Sequence, residues 1–316
     1  MNGNLYQEAE NEHTGLTGGF DVVLGNPPWE RIKLQEKEFF SSRDPQIAKA
    51  KNKAERQRLI QAVAQSDPGL FKAFHEEKRK SEAQSHFIRN SGRYPLCGRG
   101  DVNTYSIFAE LKRDLMSPTG RVGCIVPSGI ATDDTTKFFF QSLMEKKELL
   151  ACYHFDNRAK LFKDVGSSIT FCLITITGRG LPAVKGAEFA FFLHDPSELK
   201  DKKRRFTLAA RDIALINPNT KTCPIFRTRQ DAELTKAIYR RVPVLVKEGT
   251  SHGNPWRISF MAMFHMSNDS HLFHTYDELV AQGYILMGNI FIKKNRRCLN
   301  APFAICQSPF AGGKAP

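Results

Sequence analysis

The segment FDVVLGNPPW, at residues 20–29, constrains the fold more than any other part of this sequence. Residues 20–25 are a short apolar run with β-branched members, which predicts a buried β-strand. Two consecutive prolines end that strand, because a proline cannot donate a hydrogen bond to a sheet ladder. Asn26 and Trp29 therefore stand at the carboxyl end of a predicted strand, which is where open α/β sheets bind ligands.

Strand-like and helix-like segments alternate after this point. Three further buried strands are predicted from their apolar runs: 121–127, 149–155 and 169–177. Helices are expected to begin at Asn103 and at Asp133 or Asp134, each followed by apolar residues at helical spacing. This alternation predicts an α/β fold with a mainly parallel sheet covered on both faces, in which the last two strands form the one antiparallel pair.

The alternation also suggests how the chain is organised. We expect a polar leader over residues 1–19 and an α/β domain over 20–178, with a helical insertion at about 31–93. A second domain of mixed α+β character is expected over 179–316, with short strands at 188–193 and 258–264. No segment has the length and hydropathy of a membrane span or a secretory signal, and no cysteines have zinc-ribbon spacing. The sequence thus predicts a cytoplasmic protein with neither a membrane nor a metal partner.

Charge points to a polyanionic partner. The 316 residues include 46 Lys or Arg against 33 Asp or Glu, a net charge of +13. Residues 43–93 hold 12 basic and 6 acidic residues, and residues 200–241 hold 12 and 4, so these two segments account for the excess. Either segment alone could be a solvated helix face. Two of them flanking a near-neutral core favour nucleic acid.

The residues Asn26, Pro27, Pro28 and Trp29 suit one chemical problem. An exocyclic amine on a purine is a poor nucleophile, because its lone pair is delocalised into the ring. An amide oxygen and a free backbone carbonyl aimed at its two hydrogens would release that lone pair, and two prolines would hold the acceptors in place. An indole offers a surface on which an extruded base can stack. The alternative is a proline-rich turn beside a half-buried tryptophan.

The segment FDVVLGNPPW resembles motif IV of the amino-methyltransferases that act on DNA adenine. Later blocks resemble, in order, those of one subgroup, the type IIG and related large restriction-modification methylases: GDVNTYSIF, GRVGCIVPSGIAT, FDNRAKLF and FCLITITG. The resemblance covers roughly residues 20–290. It implies the C-terminal half of a Rossmann-like, S-adenosylmethionine-dependent methyltransferase sheet, followed by part of a target-recognition domain.

The resemblance also implies roles for individual residues. Asn26 and the Pro27 carbonyl would bind the N6 amine of a flipped adenine, Pro28 would stiffen the turn, and Trp29 would stack on the base. Phe162 would close the other face of the base, although core packing is the alternative role for this side chain. The methyl donor would be S-adenosylmethionine and the substrate double-stranded DNA. Four consecutive basic residues would contact the DNA backbone: Lys202, Lys203, Arg204 and Arg205.

The chain departs from the family in two places. The family's cofactor loop, a strand and a glycine-rich turn, lies well upstream of motif IV, and only 19 residues precede Phe20 here. Residues 297–316 resemble no family block. We therefore expect a fragment, inactive alone, that a separate chain carrying the N-terminal half would complete. The competing hypotheses are a non-enzymatic DNA-binding remnant and a methylase of RNA or of protein glutamine.

Overall fold

The computed structural model describes residues 18–265 and 268–293, and the chain divides into two compact units, Met1–Pro255 and Trp256–Pro316. The first unit holds a six-stranded sheet in the order β1-β2-β4-β3-β5-β6. Its strands are β1 Phe20–Gly25, β2 Met116–Pro127, β3 Leu149–Asp156, β4 Thr170–Thr177, β5 Ala187–Leu193 and β6 Phe206–Leu208. The four strands predicted up to residue 177 are confirmed as strands, and the predicted strand at 188–193 is β5. The prediction that the strand at 20–25 is buried is wrong, because β1 lies at the edge of the sheet and most of its residues are exposed.

The helices of the first unit lie between and after these strands. They are α1 Glu36–Ser41, α2 Pro45–Ala48, α3 Lys53–Ser66, α4 Pro68–Asn90, α5 Thr104–Leu115, α6 Gly129–Thr132, α7 Lys137–Glu145, α8 Ala210–Ile216 and α9 Arg229–Arg241. The second unit contains α10 Tyr276–Ala281 and the antiparallel pair β7 Tyr284–Met287 and β8 Ile290–Lys293. No helix among the described residues combines the length and hydropathy needed to cross a bilayer.

The sheet is mixed, and the prediction of a mainly parallel sheet is wrong. β1 pairs with β2 and β3 pairs with β5 in parallel, but β4 runs antiparallel to both β2 and β3, and β6 runs antiparallel to β5. The cause is the hairpin of β3 and β4, which is antiparallel as predicted but inserts its second strand between β2 and β3. β1, β2, β3 and β5 still point the same way, so their carboxyl ends share one edge.

The two faces of the sheet are covered differently. On one face, Val122, Cys124 and Val126 are buried in the same hydrophobic cluster as residues of α5 and α7. On the other face, a smaller cluster lies around Phe155 and Phe171, packed by loop residues that include Trp29 and Phe162. On the edge strand β1, Val22 and Leu24 are 61% and 75% exposed. The expectation that both faces are covered therefore holds for the central strands and fails at the edge strand β1.

The predicted helical insertion at about 31–93 corresponds to α1–α4. It has a hydrophobic cluster of its own, separate from the core beneath the sheet: Phe39, Phe40, Ile47, Ile60, Val63 and Phe74. Asp67 caps α4 by accepting a hydrogen bond from the backbone N–H of Leu70 at 2.9 Å. The insertion therefore folds around its own apolar side chains.

The two helix starts predicted after the insertion are close to those observed. Asn103 caps α5 by accepting from the N–H of Tyr105 at 3.4 Å. The segment beginning at Asp134 forms one 3-10 turn before α7 starts at Lys137. β2 is longer than predicted, because its first residues pair with the start of β1.

Several predicted boundaries have other outcomes. The sheet continues past residue 178, because β5 pairs with β3, so the division there into catalytic and recognition parts stays a prediction. The strand predicted at 258–264 is wrong, since residues 258–264 form no strand. The leader up to residue 17 and the tail at 297–316 lie outside the described residues.

Candidate active site

The carboxyl ends of β1, β2 and β3 bring three chain segments to one edge of the first unit. β1 ends at Gly25 and leads directly into Asn26, β2 leads into Ser128, and β3 leads into Asn157. Ser128 and Thr170 join the end of β2 to the start of β4, with 2.6 Å between their hydroxyl oxygens. The edge is thus a set of short, hydrogen-bonded turns on a rigid sheet, which is a suitable support for a binding site.

A cavity of about 240 Å³ opens at this edge. Its lining consists of five residues: Asn26, Pro27, Trp29, Phe162 and Val165. Four of these are candidate site residues from the sequence, and the structure brings them together although Phe162 lies far along the chain from Trp29. Pro28, by contrast, is exposed and lies outside the lining. No side chain of the lining titrates, so the cavity walls themselves supply no general acid or base.

Two oxygen acceptors of the Asn-Pro-Pro turn lack a hydrogen-bond partner in the part of the chain that the structure describes. Within the described residues, neither the side chain of Asn26 nor the carbonyl of Pro27 makes a hydrogen bond. The next carbonyl, that of Pro28, accepts a hydrogen bond from the Thr104 hydroxyl at 2.7 Å. The turn is therefore anchored through Pro28 and leaves the two preceding acceptors available.

Trp29 forms the aromatic side of the cavity. Its ring is half-buried and lies 6.5 Å from that of Phe171, centroid to centroid, at an interplanar angle of 33°. The indole Nε1 is buried without a hydrogen-bond partner in the described structure. A buried donor of this kind costs about 1–3 kcal/mol unless something accepts from it. The ring is thus only partly buried in the core, and its N–H group lacks a hydrogen-bond acceptor among the described residues.

Phe162 lies on the loop between β3 and β4 and serves both roles that the sequence leaves open. Its ring makes an edge-on contact with Phe171 at 5.0 Å, so it packs against the core. It also lines the cavity together with residues of the Asn-Pro-Pro turn. The backbone N–H of Phe162 donates to Oδ1 of Asn157 at 3.0 Å, and this hydrogen bond holds the loop that carries Phe162.

Three residues that matter for this geometry are not among the candidates from the sequence: Thr104, Asn157 and Val165. The blocks GDVNTYSIF and FDNRAKLF contain the first two. Asn157 carries a detectable signal, because it is a polar residue directly after a buried strand. The partner of Thr104 lies 76 residues away, so only the tertiary structure reveals that contact.

A larger cleft of about 800 Å³ begins at Trp29 and runs between the segment after it and α4. Its charged lining is balanced: Arg31, Lys33 and Lys80 against Glu30, Glu38 and Glu77. Lys80 pairs with Glu77 at 2.6 Å. This cleft therefore lacks the excess of positive charge that would mark a phosphate-binding groove.

The four basic residues at 202–205 separate into two pairs. Lys202 and Lys203 are exposed. Arg204 instead pairs with Glu198 at 2.5 Å and donates to the carbonyl oxygens of Phe191 and Phe192 at 3.0 and 2.7 Å. Arg205 lies 3.5 Å from Glu188. Both arginines are thus engaged within the fold, and the two lysines are the members available to a polyanion.

No protein-family model matches the chain, and no curated protein matches it. Among solved structures, it is similar to a type I restriction-modification methyltransferase subunit from Streptococcus thermophilus, at 13% identity over 73% of this chain and 34% of that one, with a TM-score of 0.29. It is similar to the type IIG restriction endonuclease BpuSI at 20% identity, over 38% of this chain and 13% of that one, with a TM-score of 0.26.

A third similar structure is the ATP-dependent Type ISP restriction-modification enzyme LlaBIII bound to DNA. The identity is 12% over 55% of this chain and 10% of that chain, with a TM-score of 0.29. The chain thus spans between 10% and 34% of the length of these three proteins.

Proposed function

We propose that this chain takes part in the transfer of a methyl group to the N6 amine of an adenine flipped out of DNA, in a restriction-modification or related phage-defence system. One observation carries the proposal. Asn26, Pro27, Trp29 and Phe162 line a single cavity at the carboxyl edge of the sheet, and the two acceptors of the turn have no partner among the described residues.

Each group has a defined task in this proposal. The Oδ1 of Asn26 and the carbonyl oxygen of Pro27 each accept a hydrogen bond from one N–H of the amine, which frees the nitrogen lone pair. The acceptors are fixed before the base arrives, so little reorganisation is needed when charge develops. Trp29 and Phe162 present aromatic surfaces to the base, and each stacking contact is worth about 1–3 kcal/mol. The methylated amine then loses its proton to water.

S-adenosylmethionine is the methyl donor in this proposal, and it supplies an electrophilic methyl group when bound. The resemblance assigns it to a strand followed by a glycine-rich turn upstream of β1. The groups that the structure places at the cavity bind the base, so we assign the base-binding part of the reaction to Asn26, Pro27, Trp29 and Phe162.

We further propose that a separate chain carrying the donor-binding half packs against β1. The exposed side chains of Val22 and Leu24 support this, since parallel strands are normally buried on both faces. Equilibrium dialysis with labelled S-adenosylmethionine tests whether a second chain supplies the donor site. We expect no binding by this chain alone and binding after it is mixed with a methyltransferase half that has the glycine-rich turn. Binding by this chain alone would contradict the proposal.

Base binding can be tested in the chain itself, because its two tryptophans are Trp29 and Trp256. The variant Trp256→Phe leaves Trp29 as the single reporter at the cavity. Adenosine should quench its fluorescence, whereas thymidine, which has no exocyclic amine, should do so much more weakly. Equal quenching by both nucleosides, or by neither, would sink the assignment of the cavity to adenine.

A DNA-binding protein without catalysis is the second candidate, and the exposed pair Lys202 and Lys203 favours it. Methyl transfer with labelled donor decides between the two after the donor-binding half has been added. Transfer to duplex DNA supports the first proposal. DNA binding without any transfer supports the second. Transfer to RNA or to a glutamine-containing peptide, and not to DNA, would replace both.

A further inference from the structure

The loop that carries Phe162 is organised by one buried amide. Asn157 follows β3 directly and is fully buried, with 0% exposure. Its Nδ2 donates to the carbonyl oxygens of Phe162 and Val165, both at 2.9 Å. Its Oδ1 accepts from the N–H of Phe162 at 3.0 Å. One side chain thus holds both loop residues that line the cavity.

The backbone of Asn157 closes the base of the same loop. Its N–H donates to the carbonyl of Ile169, and its own carbonyl accepts from the N–H of Lys160. An asparagine amide offers two donors and one acceptor oxygen. Here those groups all bind within the loop between β3 and β4. The amide therefore joins the loop to the end of β3.

We propose that Asn157 is a positioning residue for the base cavity: it holds Phe162 at the separation from Asn26 and Trp29 that an inserted purine needs. The inference rests on the proposed function, and it adds a residue that sets the position of one wall of the cavity. Asn157 does not line the cavity, so it acts through Phe162 and not by touching the base.

A double-mutant cycle in the Trp256→Phe background tests this. Phe162→Ala should weaken adenosine binding by about fivefold to tenfold, because it removes one aromatic stacking surface. Asn157→Ala should weaken binding by a similar factor, and the double variant should be no weaker than Phe162→Ala, because residues that act through one contact are not additive. Additive effects of the two substitutions would overturn the inference.

A matched control is available in Asn217. Its Nδ2 also organises a loop, by donating to the Thr222 hydroxyl at 2.8 Å and to the Thr222 carbonyl at 3.3 Å, but it lies outside the cavity. Asn217→Ala should leave the adenosine response of Trp29 unchanged. An equal loss of binding in the Asn217 and Asn157 variants would show a general loss of stability and would overturn the inference.

Amide hydrogen exchange measures the effect of Asn157 on the loop without relying on base binding. In Asn157→Ala, the amides of Phe162 and Val165 should exchange at least about tenfold faster, since their loop loses its buried support. Unchanged exchange at these amides would overturn the positioning role even if adenosine fails to bind. Failure of adenosine to bind the parent chain, with faster exchange in the variant, would remove the proposed function and leave Asn157 as the organiser of the loop.

Discussion

The hydroxyl of Thr104, the first residue of α5, donates a hydrogen bond to the carbonyl oxygen of Pro28 at 2.7 Å. The same oxygen atom of Thr104 accepts from the N–H of Glu30 at 3.0 Å, and the N–H of Thr104 donates to the carbonyl of Glu30 at 2.9 Å. α5 packs in the core beneath the sheet. The Asn-Pro-Pro turn is therefore tied to α5 by these hydrogen bonds.

Replacing Thr104 with valine should destabilise the protein. The change keeps the shape but leaves the Pro28 carbonyl and the Glu30 N–H without their partner, so we expect a loss of about 1–2 kcal/mol in the free energy of unfolding. Urea unfolding measures it. Thr104→Ser keeps the hydroxyl and should stay within about 0.5 kcal/mol of the parent. If serine is as damaging as valine, the hydroxyl is not the stabilising group.

Replacing Asn26 with alanine should separate function from stability. The side chain is exposed and has no hydrogen bond within the described residues, so the free energy of unfolding should change by less than about 0.5 kcal/mol. The adenosine response of Trp29 should be strongly reduced, because one of the two acceptors is gone. Gln61→Ala removes an exposed amide from α3, outside the cavity, and should leave that response intact. Full retention of adenosine binding in Asn26→Ala would refute its role.

His154 should make stability depend on pH. Burial lowers its pKa below the ordinary value of 6.5, and its Nδ1 accepts a hydrogen bond from the N–H of Phe192 at 3.3 Å. Below pH 6.5 the unfolded chain therefore binds more protons at this position than the folded chain. This contribution is fully present above pH 6.5 and is lost as the pH falls from there through the lower folded pKa.

The measurement is urea unfolding of the parent and of His154→Asn between pH 7.5 and pH 5.5. Asparagine keeps an acceptor near the position of Nδ1 but does not titrate. The free energy of unfolding of the parent should fall more steeply with decreasing pH than that of the variant. Parallel curves would show that His154 is not the group responsible.

Lys202 and Lys203 should contribute to the salt dependence of DNA binding. Removing one lysine that binds a phosphate lowers the slope of log K against log salt concentration by roughly one unit, so Lys202→Glu with Lys203→Glu should lower it by about two. The matched control is Lys146→Glu with Lys147→Glu, an exposed pair outside both basic segments, which makes the same change in charge. If both double variants lower the slope equally, net charge and not this surface attracts DNA.

The sequence determined the local elements near the site. Apolar runs with β-branched residues predicted β1 and β4, proline chemistry predicted the turn after β1, and Asn103 predicted the start of α5. These succeed because strand pattern, proline geometry and helix capping act over a few neighbouring residues. The shared direction of β1, β2 and β3 likewise followed from the helices that connect them.

Only the tertiary structure decided which strands are neighbours and which polar groups are already bound within the fold. The position of β4 between β2 and β3 cannot be predicted from the spacing of apolar residues, because β4 would bury the same apolar side chains beside any neighbouring strand. Arg204 looks like its basic neighbours in the sequence, yet Glu198 and two carbonyls engage it. Thr104 and Asn157 acquire their roles from partners brought close by folding. Long-range hydrogen bonds depend on that proximity, which no local pattern of residues encodes.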